Sequence, residues 1–101
     1  MPEPKGLLAT RWLTAVTFDP ELVPVTREDV RLMLLEHEIE SRPLWKPMHL
    51  QPLYQGSPYH GSGFDEKLFK QGLCLPSCSS MTIEQQNEVI ELVLDCIAKR
   101  K

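Results

Sequence analysis

The chain reads as a small α+β sandwich with a sheet of about three strands, and three observations predict it. Residues 11–18 alternate in the two-residue period of a strand, with Trp12, Thr14, Val16 and Phe18 on one face and Leu13, Ala15 and Thr17 on the other. Two Thr-x-x-Asp/Gln signatures, Thr26 to Asp29 and Thr82 to Gln85, each open an apolar stripe at helical spacing. A short apolar run, Leu73-Cys74-Leu75, stops at Pro76 and supplies a late strand. The element order is strand, helix, strand, loop, short helix, strand, helix, with no internal repeat.

Each element has its own reason. Residues 1–9 are polar and proline-rich at the start, and read as a linker or leader ahead of one domain over 10–101. Both faces of the first strand are substantially apolar, which predicts an inner strand covered on two sides. Asp19-Pro20 opens a loop, and the first helix then runs from the Thr26 cap to about Ile39, burying Val30, Met33, Leu34 and His37 along one stripe that Leu32, Leu35 and Ile39 extend. The His37 side chain at its edge is expected to be half-exposed.

Next comes Ser41 to Pro52, with prolines at 43, 47 and 52. Each proline pushes the residue before it toward extended geometry, so a short strand over Arg42–Trp45 and a stiff extended path from Lys46 to Pro52 are expected. Such a path would present side chains from a fixed backbone, as binding sites often do. Residues 54–63 hold Gly56, Gly61 and Gly63 and read as a mobile loop. Ser62 or Asp65 would cap a short helix over about 64–71, and Gly72 suits the left-handed residue that ends one. A serine-rich turn at 77–80 leads into the last helix, whose stripe is Ile83, Gln86, Ile90, Val93, Leu94 and Ile97, with Lys99, Arg100 and Lys101 suited to its carboxy terminus.

Composition bounds the function. At 101 residues the chain is one domain, able to bury roughly two-thirds of its unfolded surface. A net charge of −3 implies neither nucleic acid nor a membrane surface as partner, and no apolar run approaches a bilayer span. Three cysteines, Cys74, Cys78 and Cys96, form no paired framework and fit a reducing, cytoplasmic compartment as free thiols. Cys74, Cys78 and His49 match no strong zinc spacing, so no metal is expected. No nucleophile elbow, phosphate loop, dinucleotide fingerprint or metalloprotease motif is present, and no catalytic residue is assigned.

Three motifs in order carry a resemblance: Arg11-Trp12-Leu13-Thr14, then Trp45-Lys46-Pro47-Met48-His49, then Gly72-Leu73-Cys74-Leu75-Pro76-Ser77. Over about residues 10–98 the chain resembles the carboxy-terminal small domain of the DegT/DnrJ/EryC1 family of pyridoxal-phosphate-dependent sugar aminotransferases. The resemblance implies a largely antiparallel sheet with helices packed on one face. It also implies a preceding large domain, the absent partner, whose lysine holds pyridoxal phosphate, while no such cofactor is expected in this chain alone. The parent would aminate a 4-keto nucleotide sugar for surface polysaccharide or glycan, usually from glutamate, and the chain by itself would be inactive and self-associating. Family position makes His49 the first candidate to lie near substrate, with Lys46, Gln51, Trp45 and Met48 beside it. Lys46 and Arg42 could counter a diphosphate. A small residue such as glycine is expected where Cys78 stands, which would strain the turn if that position needs a positive φ. The alternative is a self-contained interaction or ligand-binding module on the same scaffold.

Overall fold

The computed structural model describes residues 3–100. Three strands, β1 (Thr14–Thr17), β2 (Arg42–Pro43) and β3 (Gly72–Leu75), form one antiparallel sheet in the order β1-β3-β2. Three helices accompany them: α1 (Arg27–Glu36), α2 (Phe64–Gln71) and α3 (Ile83–Lys99). Thr14 faces Leu75 and Val16 faces Leu73 across one ladder, while Arg42 faces Cys74 and Pro43 faces Leu73 across the other. The inner strand is therefore β3 and not β1. Leu73 and Cys74 at its centre are buried, whereas Thr14, Ala15 and Thr17 of β1 are exposed. Proline in β2 is compatible with its edge position, where one side of the backbone needs no partner.

The core lies on one face of the sheet. Phe18, Val25, Val30, Leu34, Leu73 and Val89 are buried together, and Val16, Met33, Leu75, Leu92, Val93, Cys96 and Ile97 pack around them. Val16, Phe18, Leu73 and Leu75 share one strand parity, so α1 and α3 cover the same face of the sheet. Arg100 of the α3 terminus meets Asp29 of α1 at 3.0 Å, tying the two helices at one end. Arg27 joins α1 to the end of α2, donating from Nε to the Lys70 carbonyl at 3.0 Å with its guanidinium over the Phe69 ring.

Both capping boxes form as their spacing predicts, at Thr26–Asp29 and Thr82–Gln85. The Asp29 carboxyl is held below its ordinary range, first by the Thr26 backbone N–H and then by its hydroxyl. Helix α1 ends at Glu36, earlier than Ile39, because the chain turns there. The Ile39 N–H donates to the Leu34 carbonyl and the Glu38 N–H to that of Leu35, with Glu38 at φ 59°. This is a Schellman stop with glutamate at the left-handed position usually held by glycine. His37 is exposed at this stop, its Nδ1 2.9 Å from the Met33 carbonyl.

Several local expectations are corrected. The path from Lys46 to Pro52 is not extended throughout: Met48–Leu50 and Pro52–Tyr54 are single 3₁₀ turns. Gln51, before Pro52, is extended at ψ 139°, so the proline restricts its predecessor while its own fixed φ opens a turn. Gly72 is extended rather than left-handed; the left-handed glycine is Gly63, the residue before α2, in place of a Ser62 or Asp65 cap. Ile83, Ile90 and Leu94 are exposed, because α3 turns Val89, Leu92, Val93, Cys96 and Ile97 to the core. Leu32 and Leu35 of α1 are likewise exposed. Cys78 has no positive φ, so its turn is not strained. The expectation for Lys101, and those for Met1 and Pro2, lie outside the described residues.

Candidate functional site: a divided motif

The motif from Arg42 to Gln51 is divided by its own backbone. Its first half, leaving β2, lines an open groove of about 1050 Å³ where β3 ends and β1 and β2 begin. Trp12 and Trp45 stand at this groove with ring centroids 5.9 Å apart and planes tilted by 41°, both mostly exposed. The serine-rich turn and the first residues of α3 close the opposite side, and Ser77 Oγ stands 3.5 Å from the Trp12 carbonyl. The groove suits a flat, partly apolar occupant better than an anion. Its cations, Arg11 and Arg42, are outnumbered by Glu38, Glu40 and Glu88, and Arg42 is already paired with Glu40 at 2.7 Å.

Cys78 lies on the groove wall, exposed, with Sγ 3.0 Å from the Ser80 hydroxyl. Hydrogen bonding from the Ser80 side chain and then its backbone lowers the thiol below its ordinary range.

The second half of the motif turns elsewhere. The 3₁₀ turn at Met48–Leu50 aims His49 at the start of α2, where Nε2 lies 2.6 Å from Glu66 Oε1 and Nδ1 3.7 Å from Asp65 Oδ2. The imidazole stacks on Tyr59 at 3.9 Å between centroids. Tyr59 in turn donates its hydroxyl proton to Asp65 at 2.8 Å and accepts from the Gly63 N–H at 3.0 Å. That hydrogen bond is the first cause of two opposed shifts, holding the Asp65 carboxyl below its ordinary range and the Tyr59 phenol above its own.

The other candidates scatter. Gln51 Nε2 donates to the Lys46 carbonyl at 3.1 Å and to the Met48 sulfur at 3.6 Å and so braces the turn, while Lys46 and Met48 are exposed. The structure thus brings Arg42 and Trp45 to the groove and His49 to the Tyr59 cluster, and does not gather all six residues at one place. Trp12, which stands in the first of the three motifs, completes the groove cluster, while Tyr59, Asp65 and Glu66 complete the other and escape a motif-based reading. Only the tertiary fold sets Trp12 beside Trp45, and nothing in a Tyr-x₅-Asp-Glu spacing announces a histidine partner.

The described lysines do not suit a pyridoxal phosphate linkage. Lys5, Lys46, Lys67, Lys70 and Lys99 are all exposed, whereas a lysine that holds the cofactor needs a desolvated pocket. Among the described residues no group of three or more His, Cys, Asp or Glu is arranged to hold a metal, and no helix is long and apolar enough to cross a membrane.

Comparison with known proteins decides the family. The model of the DegT/DnrJ/EryC1/StrS aminotransferase family matches residues 2–94. The chain belongs to that family. Within it, the chain is 44% identical over 98 residues to EpsN of Bacillus subtilis (strain 168), named as a pyridoxal phosphate-dependent aminotransferase; the match covers 93% of this chain and 24% of EpsN. It is 30% identical over 91 residues to GDP-perosamine synthase of Escherichia coli O157:H7, covering 90% of this chain and 24% of that enzyme. The chain therefore spans about a quarter of the length of the curated relatives it matches.

Solved aminotransferases share the fold. The aminotransferase TlmJ of Streptoalloteichus hindustanus superposes with a TM-score of 0.81 at 22% identity, over 100% of this chain and 26% of its own. Helicobacter pylori PseC, an aminotransferase involved in the biosynthesis of pseudoaminic acid, does so with a TM-score of 0.73 at 16% identity, over 86% of this chain and 24% of its own. The α+β sandwich with its antiparallel sheet is thus the small-domain fold of this family.

Proposed function

We propose that this chain is the carboxy-terminal small domain, residues 10–101 behind a short linker, of a pyridoxal-phosphate-dependent aminotransferase that aminates a 4-keto nucleotide sugar. The observation that carries the reading is the family match over residues 2–94 combined with coverage of only a quarter of relatives such as EpsN. GDP-perosamine synthase among the relatives supports a nucleotide-linked sugar as substrate class. In this reading the rest of the enzyme supplies the cofactor lysine, which fits the exposure of every described lysine here. The chain's task is to shape and close the sugar-nucleotide pocket from one side. Trp45 and Arg42 do so from the groove, and Lys46, Met48, His49 and Gln51 from the adjoining turns. The isolated chain is inactive, the enzyme is cytoplasmic, and its product serves surface polysaccharide or glycan.

The test begins with the coding DNA upstream of Pro2. An open frame through a domain with a cofactor lysine, whose full-length product transfers the amino group of glutamate to a 4-keto nucleotide sugar while the isolated chain does not, supports the reading. Stop codons upstream, or a full-length protein that loads pyridoxal phosphate and leaves the 4-keto nucleotide sugar unaminated, would sink it. Saturable quenching of Trp45 fluorescence by a uridine-diphosphate sugar on the isolated chain would then favour a self-contained binding module.

A further inference from the structure

We infer that residues 57–62 form a hinged strap, latched by Tyr59, whose closure restricts ligand access to His49. Three independent features of the segment point there. The first is its hinges. Gly56 and Gly63 bound the strap at φ 87° and 80°, and a Cβ at either would meet nothing within 4 Å. Packing does not demand glycine at these positions; the left-handed backbone does, and such residues are where a chain swings with least steric resistance.

The second is the lack of any anchor in the core. Every residue from Pro52 to Ser62 is exposed, so no buried apolar side chain holds the strap in place. What holds it is Tyr59. Its ring lies against the imidazole of His49, its hydroxyl donates to Asp65 at 2.8 Å, and the Gly63 N–H donates to that same hydroxyl oxygen at 3.0 Å. Gly61 packs so closely under the ring that an added Cβ would come 2.5 Å from the Tyr59 hydroxyl. Gly61 has no positive φ, so here glycine is required by the tyrosine and not by the backbone.

The third is the state of His49. Its side chain is only 17% exposed; one ring face is covered by Tyr59, and its nitrogens are turned to Glu66 and Asp65. While the strap is closed, Glu66 holds Nε2 and Tyr59 covers one ring face, which leaves a ligand only Nδ1, itself 3.7 Å from the Asp65 carboxylate. Opening the strap removes Tyr59 from the ring and frees Asp65 from its hydrogen bond, which exposes an acid–imidazole pair able to bind sugar hydroxyls or an ammonium group. This inference concerns the chain alone and stands whether or not the aminotransferase reading survives.

The experiment is histidine footprinting of the folded 101-residue chain with diethyl pyrocarbonate, read by mass spectrometry at each histidine. His60, exposed on the strap, serves as the internal reference. In the wild type His49 should label about tenfold more slowly than His60, the protection expected of a charge-assisted bond and a stacked ring. Tyr59→Phe and Gly61→Ala should each speed His49 labelling several-fold toward the His60 rate, stopping short of it because the Glu66 bond to Nε2 lies outside the strap, while amide exchange of Leu73 and Val89 in the core stays unchanged. Gly61→Ala matters because it displaces the tyrosine without altering any titratable group. Equal labelling of His49 and His60 in the wild type would overturn the latch, as would slow labelling of His49 that persists in both variants. Loss of core protection in parallel with His49 protection would also overturn it, since the cluster would then be an ordinary fold contact.

Discussion

Gly72 shows how much one residue can carry. It opens β3 in an ordinary extended conformation, yet a Cβ there would run into the Leu44 side chain and come 2.6 Å from the Leu68 carbonyl oxygen. The leucine can move and the carbonyl, part of the backbone of α2, cannot. Gly72→Ala should therefore cost about 1–3 kcal/mol of stability, the usual range for overpacking, by chemical denaturation. A loss below about 0.5 kcal/mol would mean that α2 shifts freely against the sheet.

Asp65 and Tyr59 give a pH signature at the same scale. A carboxyl held below its ordinary range stabilises the fold above the unfolded carboxylate's titration and loses that contribution as pH falls through the folded one. A phenol held above its ordinary range stabilises the fold below the unfolded phenol's titration and loses it as pH rises through the folded one. The melting-temperature difference between wild type and Asp65→Asn should accordingly be largest near neutrality and shrink toward both extremes. The tyrosinate absorbance of Tyr59 should also appear at lower pH in the variant. An unchanged Tyr59 titration would show that the hydrogen bond does not persist in solution.

Among the elements, α1 is the one with an evident defect. Its amino terminus is well capped by Thr26 and Asp29, but its Schellman stop places Glu38 at φ 59°, a conformation that costs a non-glycine residue about 1–2 kcal/mol. Glu38→Gly should raise stability by about 1 kcal/mol, net of the entropy glycine gains in the unfolded chain. Thermal melting of the variant checks it, and a decrease would mean that the Glu38 side chain makes a contact worth more than the strain. Helix α3 carries a different lesson. Its capping box and length were legible because they depend on neighbours three or four residues away. Its buried face is legible only in part: Val93 and Ile97 do pack on the core, but Ile83, Ile90 and Leu94 form as regular a stripe as Val89, Val93 and Cys96, and one helix can turn only one of them fully to the sheet.

The molecule as a whole is open for its size. Its radius of gyration is 15.8 Å, where about 13 Å is usual for roughly 100 residues, and residues 3–13 and 52–62 are exposed throughout. Trp12 is 72% exposed and Trp45 67%, with Leu8, Leu22 and Leu53 more exposed still. Apolar surface of this extent normally meets a partner. The isolated chain should therefore self-associate at high concentration in sedimentation velocity, and Trp12→Ser with Trp45→Ser should weaken that association about tenfold, equivalent to about 1.4 kcal/mol. A chain that stays monomeric at every concentration would show that this surface is finished as it stands.

What the sequence determined by itself was whatever short-range chemistry dictates: the capping boxes, the extended residue before Pro52, the strand ended by Pro76, the α+β class and, through three ordered motifs, the family. Tertiary structure alone decided which strand lies inside, because β1 and β3 are both apolar enough and only the pairing order separates them. It likewise decided where the motif residues go. A 3₁₀ turn of three residues rotates His49 away from Trp45 and into the company of Tyr59, Asp65 and Glu66. Whether side chains a few positions apart share a site depends on the conformation of the backbone between them, and here that is set by contacts with residues far along the chain.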